Sequence, residues 1–101
     1  MRAARERLGH TVRVEIEVSN AAELEEALAA GADTIMLDNM DPAAQREAVA
    51  LIAGRAVVEV SGNMTPEKAA AAAAAGVNVI SVGALTHSAP ALDIAMYLNV
   101  E

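Results

Sequence analysis

The sequence predicts an α/β fold with a parallel sheet, and three observations support that prediction. Short aliphatic runs alternate along the chain with segments of helical periodicity, most of which begin at a capping residue and end at glycine. Segment 29–38 corresponds in residue type to segment 74–83, and both have the pattern of a helix end, a glycine and a buried strand. Each crossover between strands is long enough for one helix, which indicates right-handed βαβ units.

The first strand is predicted at 12–18, where valine or isoleucine occupies every second position between charged residues. Asn20 and Glu23 have the spacing of a capping box, which predicts a helix at 21–30. Gly31 is placed to end that helix.

The second strand is predicted at 34–37. Asp41 followed by Pro42 supplies an N-cap and a first-turn proline for a helix that runs to about residue 52. The third strand is predicted at 56–60.

Thr65 and Pro66 repeat this start for a helix that carries the alanine run 69–75 and ends at Gly76. The fourth strand is predicted at 77–82. Beyond Pro90 the pattern is ambiguous, because alternating apolar residues fit a strand while the first of them also fit a helix. We expect a short helix followed by an extended end.

Four βα units make half of an eight-unit barrel, and the alternative closure is an open flavodoxin-like sandwich with helices on both faces. The strands favour the barrel, since polar side chains project opposite to the aliphatic set. Unpaired Glu15, Glu17 and Glu59 would be costly to bury under a second helical layer. We therefore predict a single half-barrel domain, residues 1–101, and expect it to be cut from a longer barrel because the chain begins inside an amphipathic helix.

Composition excludes several classes of function. The formal net charge of -7 disfavours binding to nucleic acid or to an anionic membrane surface. The absence of cysteine excludes a disulfide framework and a thiolate zinc site. No apolar run approaches the roughly 20 residues of a membrane span. We expect a soluble, cytoplasmic protein.

Polar side chains end the predicted strands, and in a parallel sheet these ends share the edge where ligands bind. Glu17 and Asp38 close the first two strands on the same face, near enough to share a hard cation such as Mg²⁺ or to accept from ribose hydroxyls. The residues alone leave a second interpretation open, in which both are ordinary strand-end charges that face water.

Two glycine-bearing loops follow the third and fourth strands. Backbone N–H groups of loop 61–63, together with the dipole of the helix after Thr65, are suited to a phosphate. Loop 83–84 would add a second set of amides, and His87 would lie on the same edge. Glycines that only turn the chain and a simple hydrogen-bonded loop histidine are the alternatives. The candidate phosphate-binding residues are Ser61, Gly62, Asn63, Gly83, Ala84 and His87.

Four strand-end motifs, in this order and at this spacing, identify a known family. They are Val14-Glu15-Ile16-Glu17-Val18, Ile35-Met36-Leu37-Asp38-Asn39, Val58-Glu59-Val60-Ser61-Gly62, and the long string from Ile80 through Gly83-Ala84-Leu85-Thr86-His87-Ser88-Ala89-Pro90 to Asp93. On these motifs nearly the whole chain resembles the C-terminal part of quinolinate phosphoribosyltransferase. A related family associated with molybdenum transport shares the barrel, but the string 85–90 favours the phosphoribosyltransferase.

The resemblance implies a glycosyltransferase of NAD biosynthesis. It would join quinolinate to phosphoribosyl pyrophosphate with Mg²⁺, releasing pyrophosphate and carbon dioxide and forming nicotinate mononucleotide. By match to the family motifs, Glu17 and Asp38 would address the ribose hydroxyls and the metal, with Glu59 nearby as a third catalytic carboxylate. Ser61, Gly62 and Gly83 would hold the 5′-phosphate, and His87 would lie beside it. Asn63 stands where the family often has a second glycine.

The family's N-terminal domain and its quinolinate-binding arginines and lysines have no counterpart in these residues. Arg13 is the one cation on the predicted inner face, and a single guanidinium cannot neutralise both a dicarboxylate and a pyrophosphate. We therefore expect a chain that is inactive alone. The partners expected are phosphate or phosphoribosyl pyrophosphate, and either a second copy or the missing half barrel. The rival hypotheses are a stand-alone phosphate-binding module without catalysis and a catalytic piece completed in trans.

Overall fold

The structure, a computed structural model, describes residues 1–100, apart from the side chain at position 2. Position 101, the last of the predicted domain, lies outside the described residues. Five helices and four strands alternate along the described part of the chain. They are α1 (Arg2–Arg7), β1 (Glu15–Val18), α2 (Ala21–Ala29), β2 (Thr34–Asp38), α3 (Pro42–Ile52), β3 (Val57–Ser61), α4 (Pro66–Ala74), β4 (Val79–Ile80) and α5 (Ala84–His87).

The four strands form one parallel sheet in the order β1-β2-β3-β4. Every strand therefore lies beside the next one in sequence, as in a barrel, whereas a flavodoxin-like sheet exchanges its first two strands. Helix α3 contacts both α2 and α4, so the crossover helices form one layer. The predicted half barrel is confirmed, and the open flavodoxin-like alternative is wrong.

The core lies between the sheet and this helical layer. Ile35, Leu37 and Val60 are completely buried on the helix side of the sheet. Opposite them, Ile52 and the small Ala72 are also completely buried. An alanine at the contact lets α4 approach the sheet closely, which explains how a chain without Phe or Trp closes its core.

The capping residues predicted for α2, α3 and α4 each accept hydrogen bonds from the first turn of their helix. Asn20 Oδ1 accepts from the Glu23 N–H at 3.0 Å. Asp41 Oδ1 accepts from the N–H groups of residues 43 and 44 at 2.8 and 2.9 Å. Thr65 Oγ1 accepts from the N–H of residue 68 at 3.3 Å. These bonds satisfy first-turn donors that otherwise have no partner in the helix.

Two strands are shorter than predicted. The prediction of 12–18 fails for its first three residues, because the Val14 N–H donates to the Asp33 carboxylate instead of to a neighbouring strand. The prediction of 77–82 shrinks to Val79–Ile80, because the Val77 N–H still closes the end of α4 by donating to Ala72 O. The third strand lies one residue later than predicted, at Val57–Ser61.

The C-terminal residues differ most from expectation. The short helix expected after Pro90 is wrong: a helical turn forms earlier, at Ala84–His87, and residues 88–100 form no helix or strand. Every side chain from 84 to 100 is exposed, including Leu92 at 82% and Val100 at 94%. Within the described residues, no helix, strand or core therefore buries the alternating apolar side chains of this segment.

The two segments of the internal repeat make the same hydrogen bond before their strands begin. Asp33 accepts the Val14 N–H at 2.7 Å, and Asn78, the corresponding residue of the repeat, accepts the Val58 N–H at 2.8 Å. Asp33 also forms an ion pair with Arg5 at 2.6 Å, which attaches α1 to the sheet. No helix within residues 1–100 combines the length and apolar character required to cross a membrane.

Candidate functional site

The inner face of the sheet, opposite the helices, carries the three predicted catalytic carboxylates in two rows. Glu17 pairs in register with Met36, which pairs with Glu59, so a methionine separates the two glutamates within one row. Asp38 is two residues nearer the carboxyl end and pairs with Ser61. The structure therefore brings these groups to one face without forming a contiguous acidic cluster.

A cleft of about 640 Å³ lies at the carboxyl ends of β3 and β4. All six residues predicted to bind phosphate line it: Ser61, Gly62, Asn63, Gly83, Ala84 and His87. Met64, Thr65, Lys68 and Ser81 complete its lining. Two loops that are distant in sequence thus face each other across one cavity.

The backbone of the cleft presents donors. Gly62 and Asn63 have left-handed φ values of 92° and 45°, which turn the chain from β3 toward the cap of α4. Within residues 1–100, the N–H groups of Gly62, Asn63 and Gly83 donate to no protein acceptor. The amino end of α4 adds its partial positive charge, so the cleft is suited to an anion.

Side-chain amides connect the cleft with Asp38. Asn39 Nδ2 lies 3.1 Å from both carboxylate oxygens of Asp38 and donates to them. Asn39 Oδ1 accepts from Asn63 Nδ2 at 3.2 Å. Gly62 makes this arrangement possible, because a Cβ at that position would overlap the Asn39 side chain. Sequence reasoning missed Asn39, since its partner in the next loop lies 24 residues away.

Glu59 lies outside the cleft and accepts a hydrogen bond from Ser81, one of the residues that line it. The Ser81 hydroxyl donates to Glu59 Oε1 at 2.5 Å, and Glu59 itself is half-buried in β3. Ser81 lines the cleft, whereas Glu59 does not. In this geometry Glu59 orients the Ser81 oxygen.

His87 stands at the opposite wall, on the single turn of α5. Its Nδ1 lies 2.6 Å from Ser88 Oγ. A Cβ on residue 83 would lie 3.0 Å from His87 Nε2, so Gly83 lets the ring approach the loop closely. The imidazole therefore has one nitrogen engaged locally and the other beside the Gly83 backbone.

Two charged residues that sequence reasoning missed lie in the first turn of α4, and of these two Lys68 alone lines the cleft. Lys68 lines the cleft and donates from Nζ to the Asn63 carbonyl oxygen at 3.0 Å. The pKa of the Glu67 carboxyl is lowered, first by a hydrogen bond from the Glu67 backbone N–H and second by one from the Thr65 hydroxyl. The available signal was their position directly after the Thr65-Pro66 start.

The residues present fit a cation only in part. Among residues 1–100 no three or more His, Cys, Asp or Glu side chains are grouped to hold a metal. Glu17 and Asp38 remain two carboxylates on one face, and Mg²⁺ commonly binds one or two carboxylates with substrate oxygens and water. The pair therefore suits a cation that a ligand helps to hold.

Arg13, predicted on the inner face, lies at the amino ends of the strands, opposite the carboxyl ends that carry the candidate site. It lines a cleft of about 650 Å³ at the amino ends of the strands, together with Gly31, Gly54 and Asn78. This position is remote from the carboxyl-end loops. Arg13 therefore belongs to a different region of the molecule from the candidate site.

The chain resembles known proteins in both sequence and structure. The family model described as quinolinate phosphoribosyl transferase, C-terminal domain, matches residues 1–97. The chain is 45% identical over 93 residues to a probable nicotinate-nucleotide pyrophosphorylase (carboxylating) of Bacillus subtilis, covering 92% of this chain and 32% of that protein. A protein of the same description from Archaeoglobus fulgidus is 43% identical over 100 residues, covering 94% of this chain and 39% of that one.

Among solved structures, the nicotinate-nucleotide pyrophosphorylase of Francisella tularensis superposes with a TM-score of 0.76 at 41% identity. The match covers 84% of this chain and 30% of that one. The chain thus spans about a third of the length of its relatives, 32% and 39% for the two curated proteins.

Proposed function

Because the chain belongs to the quinolinate phosphoribosyltransferase family, through its C-terminal domain, we propose that it supplies the phosphoribosyl side of that enzyme's site. The whole reaction would join quinolinate to phosphoribosyl pyrophosphate in NAD biosynthesis and form nicotinate mononucleotide. The observation that supports this proposal best is the convergence of six predicted residues on one cleft.

In this proposal the 5′-phosphate lies in the cleft. The free N–H groups of Gly62, Asn63 and Gly83 would donate to its oxygens, as would the Ser61 hydroxyl. The amino end of α4 would stabilise the negative charge. His87 would approach the phosphate from the α5 side.

The ribose would extend from the cleft over the inner face of the sheet. Asp38, beside Ser61, would accept from ribose hydroxyls, and Glu17 lies one row deeper. Bound Mg²⁺ would supply positive charge against the pyrophosphate leaving group, with Glu17 and Asp38 as its protein ligands. Glu59 would act through Ser81, which its carboxylate orients.

Binding of ribose 5-phosphate to the purified chain tests the phosphate site. We expect saturable amide shifts at residues 62, 63 and 83 in an NMR titration, because these N–H groups are free to donate. Ser61→Ala should weaken the affinity about fivefold, the effect of one lost hydrogen bond. Ser19→Ala, a change of the same size at the end of β1 and outside the cleft, should bind as the wild type does. Absence of saturable shifts would contradict the proposal.

We propose that catalysis needs more of the enzyme than these residues. Within residues 1–100 the cleft has one lysine and one histidine, and Arg13 lies at the other edge of the sheet. These groups cannot neutralise a dicarboxylate and a pyrophosphate together. The purified chain should form no nicotinate mononucleotide, and adding the separately expressed remainder of a relative should restore turnover. Product formation by the chain alone would exclude this part of the proposal.

The alternative function is a phosphate-binding module without catalysis, which the same cleft would support. It differs in predicting phosphate binding with no gain of turnover when the rest of a relative is added. A partner, either a second copy or the missing half barrel, and a cytoplasmic location remain predictions.

A further inference from the structure

Lys68 stands where the electrostatics of a helix disfavour a cation. It is the third residue of α4, after the Thr65 cap and Pro66, in the turn that carries the positive end of the helix dipole. Among the described residues the ion pair between Arg5 and Asp33 is the one found within 4.0 Å, so no carboxylate there pairs directly with Lys68. A charge that opposes its own helix often marks a functional position.

The side chain of Lys68 turns back over the loop instead of extending along the helix. Its Nζ donates to the Asn63 carbonyl oxygen at 3.0 Å. Asn63 is itself held by Asn39, whose Oδ1 accepts from the Asn63 side chain. The ammonium group is therefore placed in the cleft lining, and two of its three N–H donors remain for a ligand.

The charge of the cleft lining depends on this residue. Apart from Lys68 and His87, its lining residues carry no formal charge: Ser61, Gly62, Asn63, Met64, Thr65, Ser81, Gly83 and Ala84. The protein as a whole has a formal net charge of -7, which repels anions at long range. Neutral N–H groups alone would oppose that repulsion weakly.

We infer that Lys68 is a phosphate-binding residue of this cleft and that it selects a terminal, doubly charged phosphate monoester over a singly charged diester. This inference rests on the proposed phosphate site and adds its cation. A second negative charge on the phosphate strengthens its attraction to the ammonium, while the neutral N–H donors discriminate less between the two charge states.

The test compares two Lys68 variants with a matched control. Lys68→Gln removes the charge and keeps a similar helix propensity, whereas Lys68→Arg keeps the charge. Arg46→Gln changes the net charge by the same amount at an exposed position of α3 outside the cleft. Affinity for ribose 5-phosphate is measured by NMR titration at pH 8, with its methyl phosphodiester as the singly charged probe.

We expect Lys68→Gln to bind ribose 5-phosphate about tenfold more weakly, as loss of a charged hydrogen bond predicts. Its affinity for the diester should fall less than threefold. Lys68→Arg should stay within about threefold of the wild type, and Arg46→Gln should be unchanged. Lys68→Gln should also melt at the same or a higher temperature, because it relieves the conflict with the helix dipole.

Two failures are distinguishable. If wild-type protein binds neither probe, the proposed phosphate site itself is wrong. If wild type binds but Lys68→Gln binds as tightly as Arg46→Gln, or loses monoester and diester affinity equally, the inference about Lys68 is wrong and the site stands. Should the glutamine variant not fold, Lys68→Met carries the same comparison.

Discussion

Gly62 is the residue on which the geometry of the candidate site depends most. It has a φ of 92°, and its missing Cβ leaves the space that the Asn39 side chain occupies. Asn39 in turn holds Asp38 and Asn63. One glycine therefore permits the contact between the ribose side and the phosphate side of the site.

Gly62→Ala should destabilise the fold more than Gly54→Ala does. Both glycines have left-handed φ values, 92° and 75°, so both alanines carry a backbone cost of about 1 kcal/mol. A Cβ at Gly54 meets no atom within 4 Å, whereas one at Gly62 overlaps Asn39, which adds roughly 1–3 kcal/mol. Urea unfolding of the two variants measures the difference.

Asn39→Gly introduced into Gly62→Ala should recover the added part, because it removes the side chain that a new Cβ meets and glycine accepts the left-handed φ of 49° at this position. Equal destabilisation by the two glycine variants would show that the close approach of Asn39 does not contribute.

At the scale of elements, the connection between α1, β1 and β2 is electrostatic. Arg5 Nη2 lies 2.6 Å from Asp33 Oδ2 and also donates to the Gly31 carbonyl oxygen at 2.9 Å. The same Asp33 oxygen accepts the Val14 N–H, directly before the first residue of β1. One carboxylate thus joins a helix and two strands.

This connection predicts a pH dependence of stability. The hydrogen bond from Arg5, and then that from the Val14 N–H, holds the pKa of the Asp33 carboxyl below its ordinary value of 3.8. A lowered folded-state pKa contributes stability above about pH 4, which is lost as the pH falls through the folded-state pKa. Asp33→Asn should flatten the stability profile between pH 4 and more acidic values, while Asp93→Asn in the exposed tail should not.

Chemical unfolding at a series of pH values measures this profile. Asparagine keeps an acceptor for the Val14 N–H, as Asn78 does for Val58, so the variant should still fold. An unchanged acid slope in Asp33→Asn would contradict the assignment.

For the whole molecule, the open sheet defines the expected assembly. Within the described residues β1 and β4 each have one neighbour, and a cavity of about 720 Å³ lies beside β1, lined in part by Ile16 and Val18. Unpaired strand edges favour association with another chain. Two copies joined by two-fold symmetry would cover both edges and the inner face.

We therefore expect light scattering to give a mass near twice 10.4 kDa. Val79→Lys should shift the protein toward monomer, because Val79 is 42% exposed on the inner side of the edge strand β4. Leu51→Lys changes a side chain of similar exposure, 39%, on the helical layer and should leave the mass unchanged. A monomer at every concentration, or equal effects of both variants, would exclude this dimer.

Local interactions were predictable because they span a single turn. The helix starts at Asn20, Asp41 and Thr65 each depend on hydrogen bonds to residues two or three positions away, so they can be inferred from neighbouring residues in the sequence. The six cleft residues could also be named, since all lie at or just after the carboxyl ends of strands, and parallel strands bring these ends to one edge of the sheet. The family motifs added their expected roles.

The alternation of elements, the half-barrel class and the edge of the sheet that carries the site could therefore be inferred from the order of residues along the chain. The tertiary structure alone decided the contacts that cross between loops, such as Asn39 with Asn63 and Ser81 with Glu59, which lie 24 and 22 residues apart. It also decided that Lys68 turns into the cleft and that residues 88–100 form no helix. Such contacts depend on strand register and left-handed loop turns, which bring together groups that no local sequence pattern relates.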